Sequence, residues 1–229
     1  MRKRHHLNPS HELIHDDYFQ GQHGYYNIMY RQGQPMIQGY LQSLEKTLIQ
    51  SLIDYRLSFV FRVDLRFPLE MYPHPLIMDS NEVLTLFFRY LREELDRAKT
   101  CHQTKLRYVW AREQHNSDKP HYHLLLLFNQ DAYSTIGSMR PSASGDYDGQ
   151  NLFHRIVRAW SKAIGWPSFA SGGLVQLGRD PMTDSPFSRT LHQSDRIALE
   201  DTFYVGSYLC KSFSKVYNQR LHTFGTSRG

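Results

Sequence analysis

The sequence predicts an α+β fold: a central, mostly antiparallel or mixed sheet flanked by helices, entered through an N-terminal arm and helix. Three observations carry this expectation. Phe61, Val63, Leu65 and Phe67 alternate with Arg62, Asp64 and Arg66, the period-two pattern of a strand with one buried face. Two strand-like segments, 105–113 and 121–128, are separated by the polar run His115 to Pro120 and so read as a hairpin. Helical spacing elsewhere gives the order β-α-ββ-α-β-α after the first helix, which suits a layered sheet-and-helix sandwich.

The elements follow in order. Residues 1–34 are polar, with little periodicity, and read as an arm or irregular cap. Leu41, Leu44, Leu48 and Leu52 lie at helical spacing, predicting an amphipathic helix over 38–54. The strand of 57–67 ends at Pro68. Ser80 or Asn81 caps a helix to about Lys99, with Leu84, Phe87, Phe88, Leu91 and Leu95 inward. After the hairpin, Leu152, Phe153, Ile156, Val157, Trp160 and Ile164 define a helix stopped by Gly165 and Pro167. Residues 174–178 form a strand, 181–195 a Ser/Thr/Pro/Asp-rich mobile loop, and 199–217 a last helix. The expected division is an arm and helix over 1–54, the main domain over 55–218 and a tail over 219–229.

Composition narrows the functional classes. The 229 residues are 40% hydrophobic and 21% charged, enough for one well-cored domain. No apolar run is long enough to span a bilayer, and the basic start Met1 to His6 has no apolar stretch behind it. Cys101 and Cys210 are the only cysteines, so neither a disulfide framework nor a CxxC zinc site is expected, and a reducing cytosol is. A net charge of +5 favours a polyanionic partner only weakly.

His121 and His123 stand two apart on a strand and therefore share a face. With 13 histidines in the chain, roughly one His-x-His is expected by chance, so the tripeptide alone is a weak motif. The strand around it is otherwise continuously apolar, as in a buried central strand, and buried imidazoles need partners. Val109, Ala111 and Glu113 alternate toward the turn, which carries the Glu113 carboxylate to the same end. One carboxylate and two imidazoles with open positions suit Mg²⁺ or Mn²⁺ in phosphate chemistry. The alternative is a pair of strand histidines satisfied by solvent or backbone. His115, in the turn, is the rival third ligand.

On the last predicted helix, Tyr204, Tyr208, Lys211 and Lys215 fall on one face at about 100° per residue. A tyrosine can attack phosphorus, and a neighbouring lysine can stabilise the charge that develops. Tyr26 and Tyr30 repeat the Y-x-x-x-Y spacing without a following lysine and read as packing residues.

Together these residues resemble the HUH endonucleases, the rolling-circle replication initiators with a His-hydrophobic-His strand and a downstream Y-x-x-x-K or Y-x-x-x-Y-x-x-K helix. The strand Phe61 to Arg66 looks most similar to filamentous-phage and prophage-type initiators, the YagK/YfjJ C-terminal group. Ser207 stands where many two-tyrosine relatives carry lysine, and a glutamate replaces Tyr204 in some one-tyrosine plasmid initiators. Tyr208 is therefore the first candidate nucleophile, and the number of tyrosines used stays open.

The resemblance implies an RRM-like palm, and a metal at His121, His123 and Glu113 acting on a scissile phosphate in single-stranded DNA at a replication origin. It implies a 5′-phosphotyrosine intermediate through Tyr208 or Tyr204 with Lys211, in the cytoplasm of a bacterial host. Arg62, Arg66, Arg112 and Lys215 would hold the DNA backbone, and Tyr108, Trp110 and Tyr122 could stack bases. Asp64 would orient a metal ligand or pair with an arginine. No GxxxxGK[ST] loop is present, so no nucleotide cofactor is expected and unwinding would fall to a host helicase. The alternatives are a non-enzymatic DNA-binding regulator with a decayed site, a transposase or relaxase with the same chemistry, and a metal-dependent phosphodiesterase using water.

Overall fold

The computed structural model describes residues 3–5, 8–72, 74–114, 118–213, 215 and 221–228. The N-terminal segment is more ordered than its polarity suggests. Strands β1 (Lys3–Arg4), β2 (Glu12–Ile14) and β5 (Met36–Ile37) form a small antiparallel sheet, and β3 (Tyr18–Gln20) pairs with β4 (Tyr25–Asn27). The irregular cap expected here is thus built from short paired strands, whose backbone satisfaction does not need apolar periodicity.

Helix α1 (Gln38–Asp54) matches the leucine spacing, with Leu41, Leu44, Leu48 and Leu52 all buried. Strand β6 (Leu57–Leu65) follows, then a short helix α2 (Pro75–Met78) and α3 (Glu82–Asp96). At the start of α3 the Glu82 backbone N–H donates to Ser80 Oγ, while the Asn81 amide turns away to His222. The hairpin is β7 (Arg107–Glu113) and β8 (His121–Asn129), its turn residues 115–117 lying outside the described set. Helix α4 (Leu152–Ile164) is capped by Asn151, which accepts from the His154 backbone N–H, and ends at Gly165 with φ 66°, as the sequence predicts.

Two expectations are corrected here. Residues 181–195 are not simply a loop: β9 (Val175–Leu177) is followed by β10 (Ser188–His192), which pairs with β6 and buries Leu191, with Phe187 buried just ahead of it. The predicted tail contains β11 (Phe224–Thr226), seated on the edge of β7. The main sheet has six antiparallel strands in the order β10-β6-β8-β7-β11, with β9 also on β6.

Alternation gives the sheet two different faces. Phe61, Val63, Leu65, Tyr122, Leu124 and Leu126 pack under α3 and α4. Val60, Val109, Ala111, Leu125 and Leu127 pack under α1 and the last helix, α5 (Arg196–Ser207). The close approach of α5 to α1 is made at Gly206, where an added Cβ would stand 3.0 Å from Leu44 Cδ1 and 3.3 Å from Leu125 Cδ2. Among the described residues no helix is long and apolar enough to cross a membrane.

The N-terminal hairpin is tied to this core by aromatic stacking. Phe203, fully buried on α5, lies 4.1 Å from the Tyr26 ring and 5.8 Å from Phe19 between ring centroids. Phe203→Ala should therefore cost about 3–5 kcal/mol in urea unfolding, as for other buried aromatics truncated to alanine. A cost near zero would show that the hairpin docks independently of α5.

Candidate metal centre

The site follows from strand register. Glu113 on β7 stands directly opposite His121 on β8. His123 stands opposite Ala111 on one side and Asp64 of β6 on the other. All of these side chains point to the α1–α5 face. One donor atom each from Glu113, His121 and His123 comes within 4.8 Å of the others, a spacing near the roughly 3–4 Å that separates oxygen and nitrogen donors on one small divalent ion. The rings of His121 and His123 meet edge to face, with centroids 4.8 Å apart.

Hydrogen bonding fixes what each group can do. His123 Nδ1 is 2.6 Å from Asp64 Oδ1, which turns the ring so that Nε2 faces Glu113 Oε2 at 3.4 Å. A buried imidazole whose Nδ1–H is given to a carboxylate presents a lone pair at Nε2. That lone pair and the Glu113 carboxylate are two acceptors face to face. Both His123 Nε2 and Glu113 Oε1 are buried without a hydrogen-bond partner. Such an arrangement calls for a cation, either a second ring proton or a metal ion, between the two donors. The residues thus fit a divalent ion, and Glu113, His121 and His123 are the ones that would hold it.

With a ring proton as that cation, the electrostatics of the cluster follow. Burial alone would raise the Glu113 carboxyl, but His123, Lys215 and Lys211 outweigh it and hold the group well below the usual carboxylate range. Asp64 is likewise pulled down against its burial by His123, Arg62 and Arg66. Burial, and then the neighbouring His123, push His121 down to about 4 despite the attraction of Glu113. His121 is therefore a neutral ligand-ready imidazole near neutral pH.

The tyrosine reaches this group from the end of α5. The expected helix to residue 217 stops at Ser207 instead. Tyr208–Cys210 tighten into a 3₁₀ turn, and Lys211 is extended, bridging Met36 of β5 while the Ser212 N–H donates to Pro35. The single helical stripe therefore does not exist, because pairing with the N-terminal segment unwinds the chain. Two of its members, Tyr208 and Lys211, still converge. The Tyr208 ring stands edge-on to His123 at 5.2 Å, with Arg62 Cζ 4.3 Å and Lys211 Nζ 3.6 Å from its centroid. Lys211 Nζ is 3.2 Å from Glu113 Oε2. Tyr204, a turn earlier, packs its half-buried ring against the α1–α5 core.

Several expected DNA contacts are committed elsewhere. The Lys215 side chain is fully buried, donating to the carbonyls of Leu209 (3.0 Å) and Lys211 (2.8 Å), and burial lowers it to about 8. Arg112 lies on the opposite sheet face and donates to the carbonyls of Ser80, Ile77 and Met78. Arg62 is buried but remains at the site, 3.6 Å from Asp64. Arg66 is exposed on the site face. Tyr122 is buried in the α3–α4 core, Trp110 packs against that core, and Tyr108 stacks on Phe88 at 3.7 Å, so alternation turns all three from the site. His115 lies outside the described residues.

The chain matches the YagK/YfjJ C-terminal domain family over residues 15–227. It is 30% identical over 210 residues to the uncharacterized protein YfjJ of Escherichia coli (strain K12), covering 83% of this chain and 94% of that one. It is 28% identical over 230 residues to the uncharacterized protein YagK of the same strain, covering 92% and 97%. No solved structure matches the chain.

The depressed His121 makes a pH prediction for the metal-free protein in chelator. Unfolded, the imidazole takes its proton at the ordinary 6.5, whereas folded it resists protonation to about 4. The unfolded state thus binds more protons in this window, and stability falls as pH drops from 6.5 toward 4. Allowing for the partial exposure of the ring, His121 should account for roughly 1–2 kcal/mol of that fall. His121→Gln should flatten the slope of unfolding free energy against pH by this amount. Parallel slopes for the two proteins would refute the assignment.

Proposed function

The chain belongs to the YagK/YfjJ C-terminal domain family, and we propose that it is an HUH-type endonuclease that nicks and rejoins single-stranded DNA through a tyrosine. The observation that carries this reading is the seat of Tyr208, edge-on to His123 and between Arg62 and Lys211. A nucleophile, two cations and a two-histidine, one-carboxylate donor set within one cluster match the needs of phosphodiester transfer.

The chain's own residues divide the work. Asp64 holds the His123 ring, and Glu113, His121 and His123 would hold Mg²⁺ or Mn²⁺. Bound there, the ion would supply Lewis-acid polarisation of the scissile phosphate. Tyr208 Oη attacks phosphorus, the bond from phosphorus to the 3′ oxygen breaks, and a 5′-phosphotyrosine forms. In sum, the phenol proton ends on the departing 3′ oxygen, so no nucleotide is consumed. Arg62 and Lys211 stand where negative charge grows on the phosphoryl oxygens. Arg66, exposed on the same face, meets the DNA backbone. Attack of a free 3′-hydroxyl on the phosphotyrosine reverses the step and joins strands. Initiation of rolling-circle replication of a phage, prophage or plasmid, with a host helicase unwinding the duplex, is the setting such chemistry serves.

Incubating the protein with Mn²⁺ and a pool of single-stranded oligonucleotides tests this on a denaturing gel. The expected product is a covalent protein–DNA adduct. Tyr208→Phe should lower its yield by more than about 10³-fold, since phenylalanine cannot form the ester. Tyr204→Phe should keep the first adduct. Adduct persisting in Tyr208→Phe would refute the nucleophile, and cleavage without adduct would point to hydrolysis by water.

A further inference from the structure

Glu113 Oε2 is contested. It faces His123 Nε2 at 3.4 Å, and it also receives the Lys211 ammonium at 3.2 Å. Lys215 lies 3.9 Å from the other oxygen. Lys215 is fixed, since its side chain is fully buried and two backbone carbonyls hold its ammonium. Lys211 is held differently. Among the described residues its charged partner is Glu113 alone, and its other neighbours are the ring faces of Tyr208 at 3.6 Å and Phe213 at 5.1 Å.

The charge count sharpens the point. Among the buried charges, Arg62, Lys211 and Lys215 give three positive against two negative from Asp64 and Glu113, a net of +1 before Arg66 or either imidazole is counted. Metal-binding clusters ordinarily start from a negative balance, and a divalent ion entering this one meets like charge. We infer that Lys211 is a built-in competitor for the metal, holding the Glu113 carboxylate until a divalent ion and a phosphate anion enter together. This rests on the metal reading above. The anion adds the negative charge that the cluster lacks, and gives the displaced ammonium a new partner beside the Tyr208 ring. Metal affinity is then weak alone and linked to DNA, with each ligand tightening the other by the same factor.

The test is Mn²⁺ binding to the full chain, read from the electron paramagnetic resonance signal of the free ion, without DNA and with a non-cleavable single-stranded oligonucleotide. Lys211→Gln should tighten Mn²⁺ in the absence of DNA by about tenfold or more, as removal of a contacting like charge predicts. Lys211→Arg, which keeps the charge, should remain near wild type and serves as the folding control. DNA should tighten Mn²⁺ in the wild-type protein by about tenfold and in Lys211→Gln by much less. Equal Mn²⁺ affinity in wild type and Lys211→Gln overturns the competition and leaves the metal reading standing. No Mn²⁺ bound by any of the proteins, with or without DNA, overturns both.

Discussion

Strand β8 is hydrogen-bonded along both edges, to β6 over 58–65 and to β7 over 107–113. That two-sided pairing constrains everything else. It sets Asp64, His123 and Ala111 in one row and His121 and Glu113 in the next. It also sends every second residue to the opposite layer, where Tyr122, Leu124 and Leu126 anchor α3 and α4. A shift of one residue in either pairing would exchange the layers, burying histidines under α3 and α4 and leucines at the site. The apolar run Leu124 to Phe128 therefore locks the site's register as well as filling the core.

The second constraint is electrostatic. Glu113, His123, Lys211 and Lys215 are all buried, and each alone would be costly there. They are tolerable as a group because opposite charges lie within 4 Å of one another. Such a cluster is an expensive way to stabilise a sheet, which leucines would serve better. The cluster is intelligible if the charges do chemistry, as the proposed phosphodiester transfer requires. Asp64 has the clearest supporting part. A 2.6 Å hydrogen bond to His123 Nδ1 decides which nitrogen faces Glu113.

Much of this was legible from the chain alone, for definite reasons. Glu113, His121 and His123 lie on one hairpin, where period two and a short turn suffice to bring them together. Helices α1, α3 and α4 announce themselves by leucine and aromatic spacing. What could not be read depends on distant partners. The bond from Asp64 to His123 needs the β6–β8 register, set across about sixty residues of intervening chain. Strand β10 hides in a polar run because Leu191 is its only apolar residue, with Phe187 just ahead of it. The end of α5 at Ser207 reflects pairing of Lys211 with Met36, far away in sequence. Arg112 and Lys215 looked like surface cations. Their hydrogen bonds to backbone carbonyls are long-range or turn-specific satisfactions that composition does not reveal.

The glycine at 206 has a meaning beyond packing. It sits two residues before Tyr208, at the place where α5 descends onto Leu44 and Leu125. A Cβ there would stand 3.0–3.3 Å from those leucine methyls, so either they or the helix end carrying the phenol must give by a few tenths of an ångström. The reach of the tyrosine toward His123 thus depends on a residue that has no side chain of its own. The size of that one position therefore bears on how closely the tyrosine approaches the histidine strand.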